Sequence, residues 1–256
     1  MKKFLAVVAL ATYSLTLISC GSNSLFNAGA SQSTQTGSYQ VAKQYESQLA
    51  PNLAFLEDLI LLKVNEARKK YWEDYEKANH VVIAAEKKAP LTFSAELKTT
   101  ARLHSQNIFN HFLLTLPQDK RYKYPNNTAT SPYTPHWDDV EDTTPTDRIR
   151  AAYGAQANTI TRFSENIYCV DVLELQYHST LDSFADYFVW GRANDPTTGW
   201  MNSPSHKSTL LDEKGDPQKG YPYLNFTGVG IAMAEYTYNN QLGVWICATQ
   251  NFVHKN

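Results

Sequence analysis

Trp200-Met201-Asn202-Ser203-Pro204-Ser205-His206 places a histidine on the first turn of a short helix, behind an aromatic anchor. Ser203 suits the capping position, because its hydroxyl can accept from the unpaired amides of the first turn. Pro204 suits the first helical position, where its missing N–H costs nothing and its φ is already helical. His206 then sits beside the positive end of the helix dipole, which disfavours the imidazolium form. A neutral imidazole there can ligate a metal or accept a proton. The plainer reading, that His206 packs or caps, stands beside it at this point.

Two further segments frame that helix. Upstream is S-E-N-I, residues 164–167, running into apolar Tyr168-Cys169-Val170. Downstream come T-G-V-G-I-A-M-A, residues 227–234, and G-V-W-I-C-A-T-Q-N-F, residues 243–252. Earlier stretches fall in order before them: L-L-K-V-N-E-A-R (61–68), P-L-T-F-S-A-E-L (90–97) and D-R-I-R-A-A-Y-G (147–154). Taken in this order, they resemble the CAP superfamily of cysteine-rich secretory, venom-allergen and pathogenesis-related proteins. The nearest pattern is its bacterial branch of SCP-like extracellular domains, and the likeness runs from about Leu53 onward. The resemblance implies an α/β fold: an α-β-α sandwich with a small antiparallel sheet between helices.

Periodicity gives an independent outline. Leu53, Leu56, Leu59, Ile60, Leu62 and Val64 space an amphipathic helix that ends near Tyr75. A second helix follows Ser94 as its cap and runs through Leu97, Ala101 and Ile108 toward Phe112; a third covers Thr180 to Trp190. In the 227–234 run, Val229, Ile231 and Met233 alternate with glycines and alanines. One bulky face and one bare face let a helix approach the sheet closely. Asn239-Asn240 is the expected turn of a hairpin, with Asn166 to Val170 as a third strand. Residues 116–145 and 192–199 read as polar insertions.

The front end answers a different question. Lys2 and Lys3 precede an apolar run that closes on Leu17-Ile18-Ser19-Cys20. The run is broken by polar residues and shorter than the roughly 20 residues that span a bilayer. It reads as a lipoprotein signal over residues 1–19, with Cys20 lipidated and starting the mature chain. Residues 20–48, rich in Ser, Gly, Gln, Thr and Asn, read as a flexible tether. Residues 49–256 suffice for one domain with a sizeable core. The expected location is the cell envelope, at the outer membrane or cell surface, with the lipid anchor as the membrane contact. A net charge of −2 gives no electrostatic case for nucleic acid. Cys169 and Cys247 lie in strand-like runs of an exported chain, where a disulfide or two buried thiols are both compatible with the pattern.

The resemblance also implies a cleft with two histidines and an acid. Carried over, the acid is Glu165 and one histidine is His206. The other comes from His104, His111 or His136, and His136 keeps the family's approximate distance to Asp147-Arg148. Such a set, His136, Glu165 and His206, would hold zinc or another divalent cation with an open position. It could also polarise a water, with Glu165 and His206 as the catalytic candidates. No Ser or Cys nucleophile has a motif of its own. Three functions follow as expectations: a surface binding module for a lipid or an extracellular protein, a metal-assisted hydrolase, or an adhesive surface protein. The first is preferred.

Overall fold

The computed structural model describes residues 40–256 apart from 41, 45, 111–142, 173–177, 179, 193, 194, 196, 197, 239 and 240. The expected signal segment, Cys20 and the expected turn at Asn239-Asn240 therefore lie outside the described residues. Helix begins earlier than the composition implied: residues 42–44 and 46–49 are helical, and Ala42 and Leu49 are buried in the main core. The boundary at 49 is corrected accordingly, because these two apolar side chains, two helical turns apart, find the core despite polar neighbours.

Helix α1 (Leu53–Asn79) is the longest element and ends on His80 in a left-handed conformation, φ 54°. It outruns the expected end at Tyr75 because its last turns carry good helix formers rather than core residues. A single turn, α2 (Ala85–Lys88), leads into β1 (Thr92–Phe93) and α3 (Ala95–Ile108). Ser94 caps α3 by accepting from the Leu97 amide at 3.3 Å. Then come α4 (Pro145–Tyr153), β2 (Ile160–Asp171), α5 (Leu181–Trp190) and α6 (Pro204–Leu210). Strands β3 (Phe226–Tyr238) and β4 (Gln241–Lys255) close the chain. Both α4 and α5 open with reciprocal capping boxes, Thr144 with Asp147 and Thr180 with Ser183.

The sheet runs β1-β3-β4-β2. Its three long strands are antiparallel, but β1 pairs parallel to β3, so the sheet is mixed rather than purely antiparallel. Helices cover both faces. Val229, Ile231, Val244, Ile246 and Phe252 meet α1 and α5 in the larger core. Ile167, Cys169, Ala232, Cys247 and Val253 turn the other way, toward α3 and α4. Cys169 and Cys247, register partners on β2 and β4, are joined in a disulfide with Cα atoms 4.0 Å apart.

The bare face of β3 is where α3 comes closest. A Cβ on Gly228 would stand 2.2 Å from the Lys98 amide nitrogen, and one on Gly230 2.0 Å from that of Arg102. Ser105 fixes the contact by donating to the Gly230 carbonyl at 3.0 Å. Beyond the short reach of β1, the edge of β3 is capped from α1: the buried Glu57 carboxylate accepts from the Ile231 amide at 2.9 Å and from Arg102 Nε at 2.6 Å. A paired carboxylate there leaves no free edge donor at that position.

Since the clash at Gly230 is with backbone, Gly230→Ala must push α3 off the sheet. Overpacking of this kind costs about 1–3 kcal/mol. Urea unfolding of the variant should show a lowered midpoint with an unchanged slope; an unchanged midpoint would refute the close contact.

Candidate functional site

Strand β2 divides the S-E-N-I motif between two layers. Ser164 and Asn166 face α6: the Ser164 hydroxyl donates to Thr209 Oγ1 at 3.3 Å and Asn166 Nδ2 donates to the His206 carbonyl at 3.1 Å. Successive strand residues point oppositely. Glu165 accordingly turns toward α3 and α4, where Arg148 Nη2 donates to its carboxylate at 2.8 Å. Both side chains are 1% exposed. Arg148 also donates to the Thr143 carbonyl at 3.0 Å, and His104 Nε2 from α3 lies 3.9 Å from the second Glu165 oxygen.

His104, one of the three candidates for the second histidine, is thus buried beside Glu165. His136 and His111 lie outside the described residues. His206 is half-buried on α6, the helix held by Asn166 and Ser164. Ser203 occupies the capping position with Pro204 after it, but makes no side-chain capping bond; its hydroxyl is 3.4 Å from that of Ser205 instead. Trp200 is the expected anchor, fully buried, with its amide donating to the Phe188 carbonyl at 3.0 Å. Arg148 was missed as a site residue. An arginine in the first turn of a helix that opens on Pro145 reads as surface chemistry until burial is known.

Within the described residues the cluster holds one carboxylate, and the expected ligand His136 lies outside them. The Glu165 carboxylate is already engaged by a guanidinium, whose charge opposes a second cation. Among the described residues no group of three or more His, Cys, Asp or Glu is placed to hold a metal. Among the described residues, one carboxylate ties β2 to α4 beneath α3.

Asn65 and Arg68 of the first motif are mechanical too. Asn65 Oδ1 accepts from the Leu91 amide at 2.9 Å and its Nδ2 donates back to the Leu91 carbonyl at 3.3 Å. Buried Arg68 donates to the carbonyls of Leu210 at 2.6 Å and Lys87 at 3.3 Å. Trp72 Nε1 reaches the Leu211 carbonyl at 3.0 Å.

These bonds build the walls of a cleft of about 950 Å³ between the α1–α2 loop and the segment after α6. Ile83, Pro90, Pro222, Tyr223 and Leu224 supply an apolar lining, and Val82, 93% exposed, stands at the rim. Lys87, Asp216 and His254 are among its charged or titratable members. Asp212 shapes the wall from a left-handed conformation, φ 56°, which a short polar side chain tolerates. Its carboxylate accepts from the Leu224 amide at 2.8 Å and pairs with Arg162 at 2.5 Å. Lys87 Nζ lies 4.6 Å from the Trp72 ring centroid and 5.9 Å from that of Tyr223. Burial holds the Lys87 ammonium below its ordinary value of 10.5, against the pull of Asp212, Asp216 and Glu213.

No protein-family profile matches this chain, and no curated protein does. Among solved structures, an outer surface protein from Borrelia burgdorferi is similar at 12% identity with a TM-score of 0.35. The alignment covers 78% of this chain and 92% of that one.

The folded chain holds the Lys87 proton less tightly than the unfolded chain does, so the charged form carries a penalty at neutral pH. Raising the pH toward the ordinary lysine value of 10.5 relieves it, because the unfolded state then binds more protons than the native one. The stability of the wild type relative to Lys87→Met should therefore rise as the pH approaches that value in urea titrations. A flat difference would show that the amine is not held in a desolvating site.

Proposed function

We propose that this chain is a lipid-anchored CAP-superfamily domain of the cell envelope that works as a binding module. Its ligand is an amphiphile with an apolar chain, seated in the cleft between the α1–α2 loop and the segment after α6. The observation that carries this reading is the cleft itself. Its 950 Å³ falls within the range of about 300–1,000 Å³ of small-molecule sites, which pair apolar lining with a few polar groups. Ile83, Pro90 and Leu224 would take the chain, and Lys87 a polar head.

The CAP assignment draws on the ordered motifs and on what they do once folded. Asn65 and Arg68 brace loops, Gly228 and Gly230 admit α3, and Trp200 anchors the segment that carries His206. Helices on both faces of the β3-β4-β2 sheet accord with that family's sandwich. Membrane attachment rests on the Leu17-Ile18-Ser19-Cys20 signal. The engagement of Glu165 by Arg148 favours binding over hydrolysis, since a carboxylate neutralised by a guanidinium is a poor general base.

Displacement of a fluorescent fatty acid from the full-length protein tests the cleft. Val82→Asp puts a charge at an exposed rim position where folding is not at stake, and Tyr223→Ala trims the lining. Each should weaken binding tenfold or more, which is about 1.4 kcal/mol. Equal affinity in wild type and both variants, or no binding by the wild type, would overturn the proposal.

A further inference from the structure

Asn166 and Gln250 are register partners on β2 and β4, on the sheet face that meets α1, α5 and α6, and neither is exposed to solvent. The nitrogen of each side-chain amide is committed. Asn166 Nδ2 donates to the His206 carbonyl at 3.1 Å. Gln250 Nε2 donates to Thr227 Oγ1 at 3.1 Å, and the Thr227 hydroxyl passes its own proton to the Asn251 carbonyl at 2.7 Å. These bonds determine which end of each amide is oxygen: turning either round would set an oxygen against an acceptor with no proton to offer. Among the described residues, the oxygen ends, Asn166 Oδ1 and Gln250 Oε1, have no hydrogen-bond partner.

Buried acceptors are rarely left so. Two side by side are a stronger signal than one, since directly opposed residues of an antiparallel pair hold their Cβ atoms about 4.5–5.5 Å apart. That spacing of the side-chain roots is one that a single small donor can bridge. A divalent or alkali cation would want about six oxygens or more, and this face supplies two uncommitted ones. A water needs two to four polar partners and carries two protons, one for each oxygen.

We infer that a single internal water is clamped between Asn166 Oδ1 and Gln250 Oε1, donating to both. It completes a polar chain from β4 through Gln250, water and Asn166 to the carbonyl of His206. Asn166 thereby acts as a positioning residue for the first turn of α6. The site is independent of the cleft and of any ligand there.

The full-length protein supplies two readouts. Crystals at high resolution, native and soaked in rubidium chloride, should show density within hydrogen-bonding distance of both oxygens and no anomalous peak at that point. In solution, long-lived water should give cross-relaxation to the side-chain amide protons of both Asn166 and Gln250. Gln250→Met keeps the volume but removes one acceptor, and should abolish the signal at Asn166. An empty space with no cross-relaxation overturns the inference, as does an anomalous rubidium peak, which would assign a cation instead. Persistence of the Asn166 signal in Gln250→Met would show that the pair is not what holds the water.

Discussion

Between α3, α4 and β2, a carboxylate and a guanidinium meet out of reach of water, and much of the architecture is organised around that pair. Among the described residues, the ion pairs of Glu165 are the ones closed to solvent at both ends. Such a contact tolerates no missing partner: leaving one charge buried and unpaired costs about 3–5 kcal/mol. Arg148 can reach Glu165 only if α4 is docked, and α4 docks only if α3 lies tight on the bare face of β3. The glycines at 228 and 230, the capping box at Thr144 and the alternation of β2 are thereby conditions of one another. Because Glu165 turns inward to this pair, Ser164 and Asn166 must turn outward to α6. That is how the motif sets the place of His206 without touching it through Glu165.

Much of the fold was legible, for reasons that particular residues make plain. The alternation of Val229, Ile231 and Met233 with glycines and alanines foretold a strand with a helix pressed on one side, and Lys98 and Arg102 are the residues it presses against. Ser94 and Thr180 announced their helices as caps do. Other features were silent. Thr92 and Phe93 form a parallel edge strand of two residues, too short to show a period. Ile160 to Phe163 belong to β2 although Thr161 and Arg162 interrupt the apolar run, because pairing with β4 supplies what side-chain pattern does not. The helix containing Ala42 and Leu49 was hidden by its polar company.

The residues of the site were legible, and the partner that β2 gives to Glu165 was not. Asn166 ties β2 to the helix that carries His206, while β2 sends the Glu165 carboxylate to the opposite layer. A period of two separates neighbours in sequence onto opposite faces, and only knowledge of which face is which could have revealed the Arg148 partner. The cleft was invisible for a different reason. Its lining comes from three distant segments, around residues 82–92, 215–225 and 254, and only Pro90 and Thr92 among them fall in a motif. Lys87 became notable only when Trp72 and Tyr223 closed on it.

Whether the Glu165 carboxylate is a brace or a free reactive group is best decided by a double-mutant cycle on Arg148→Met and Glu165→Gln, read by urea unfolding. A brace predicts large single losses and a double variant much less damaged than their sum, with a coupling energy of about 2 kcal/mol or more. Losses that simply add, to within about 0.5 kcal/mol, would mean the two groups do not depend on each other and would contradict the account.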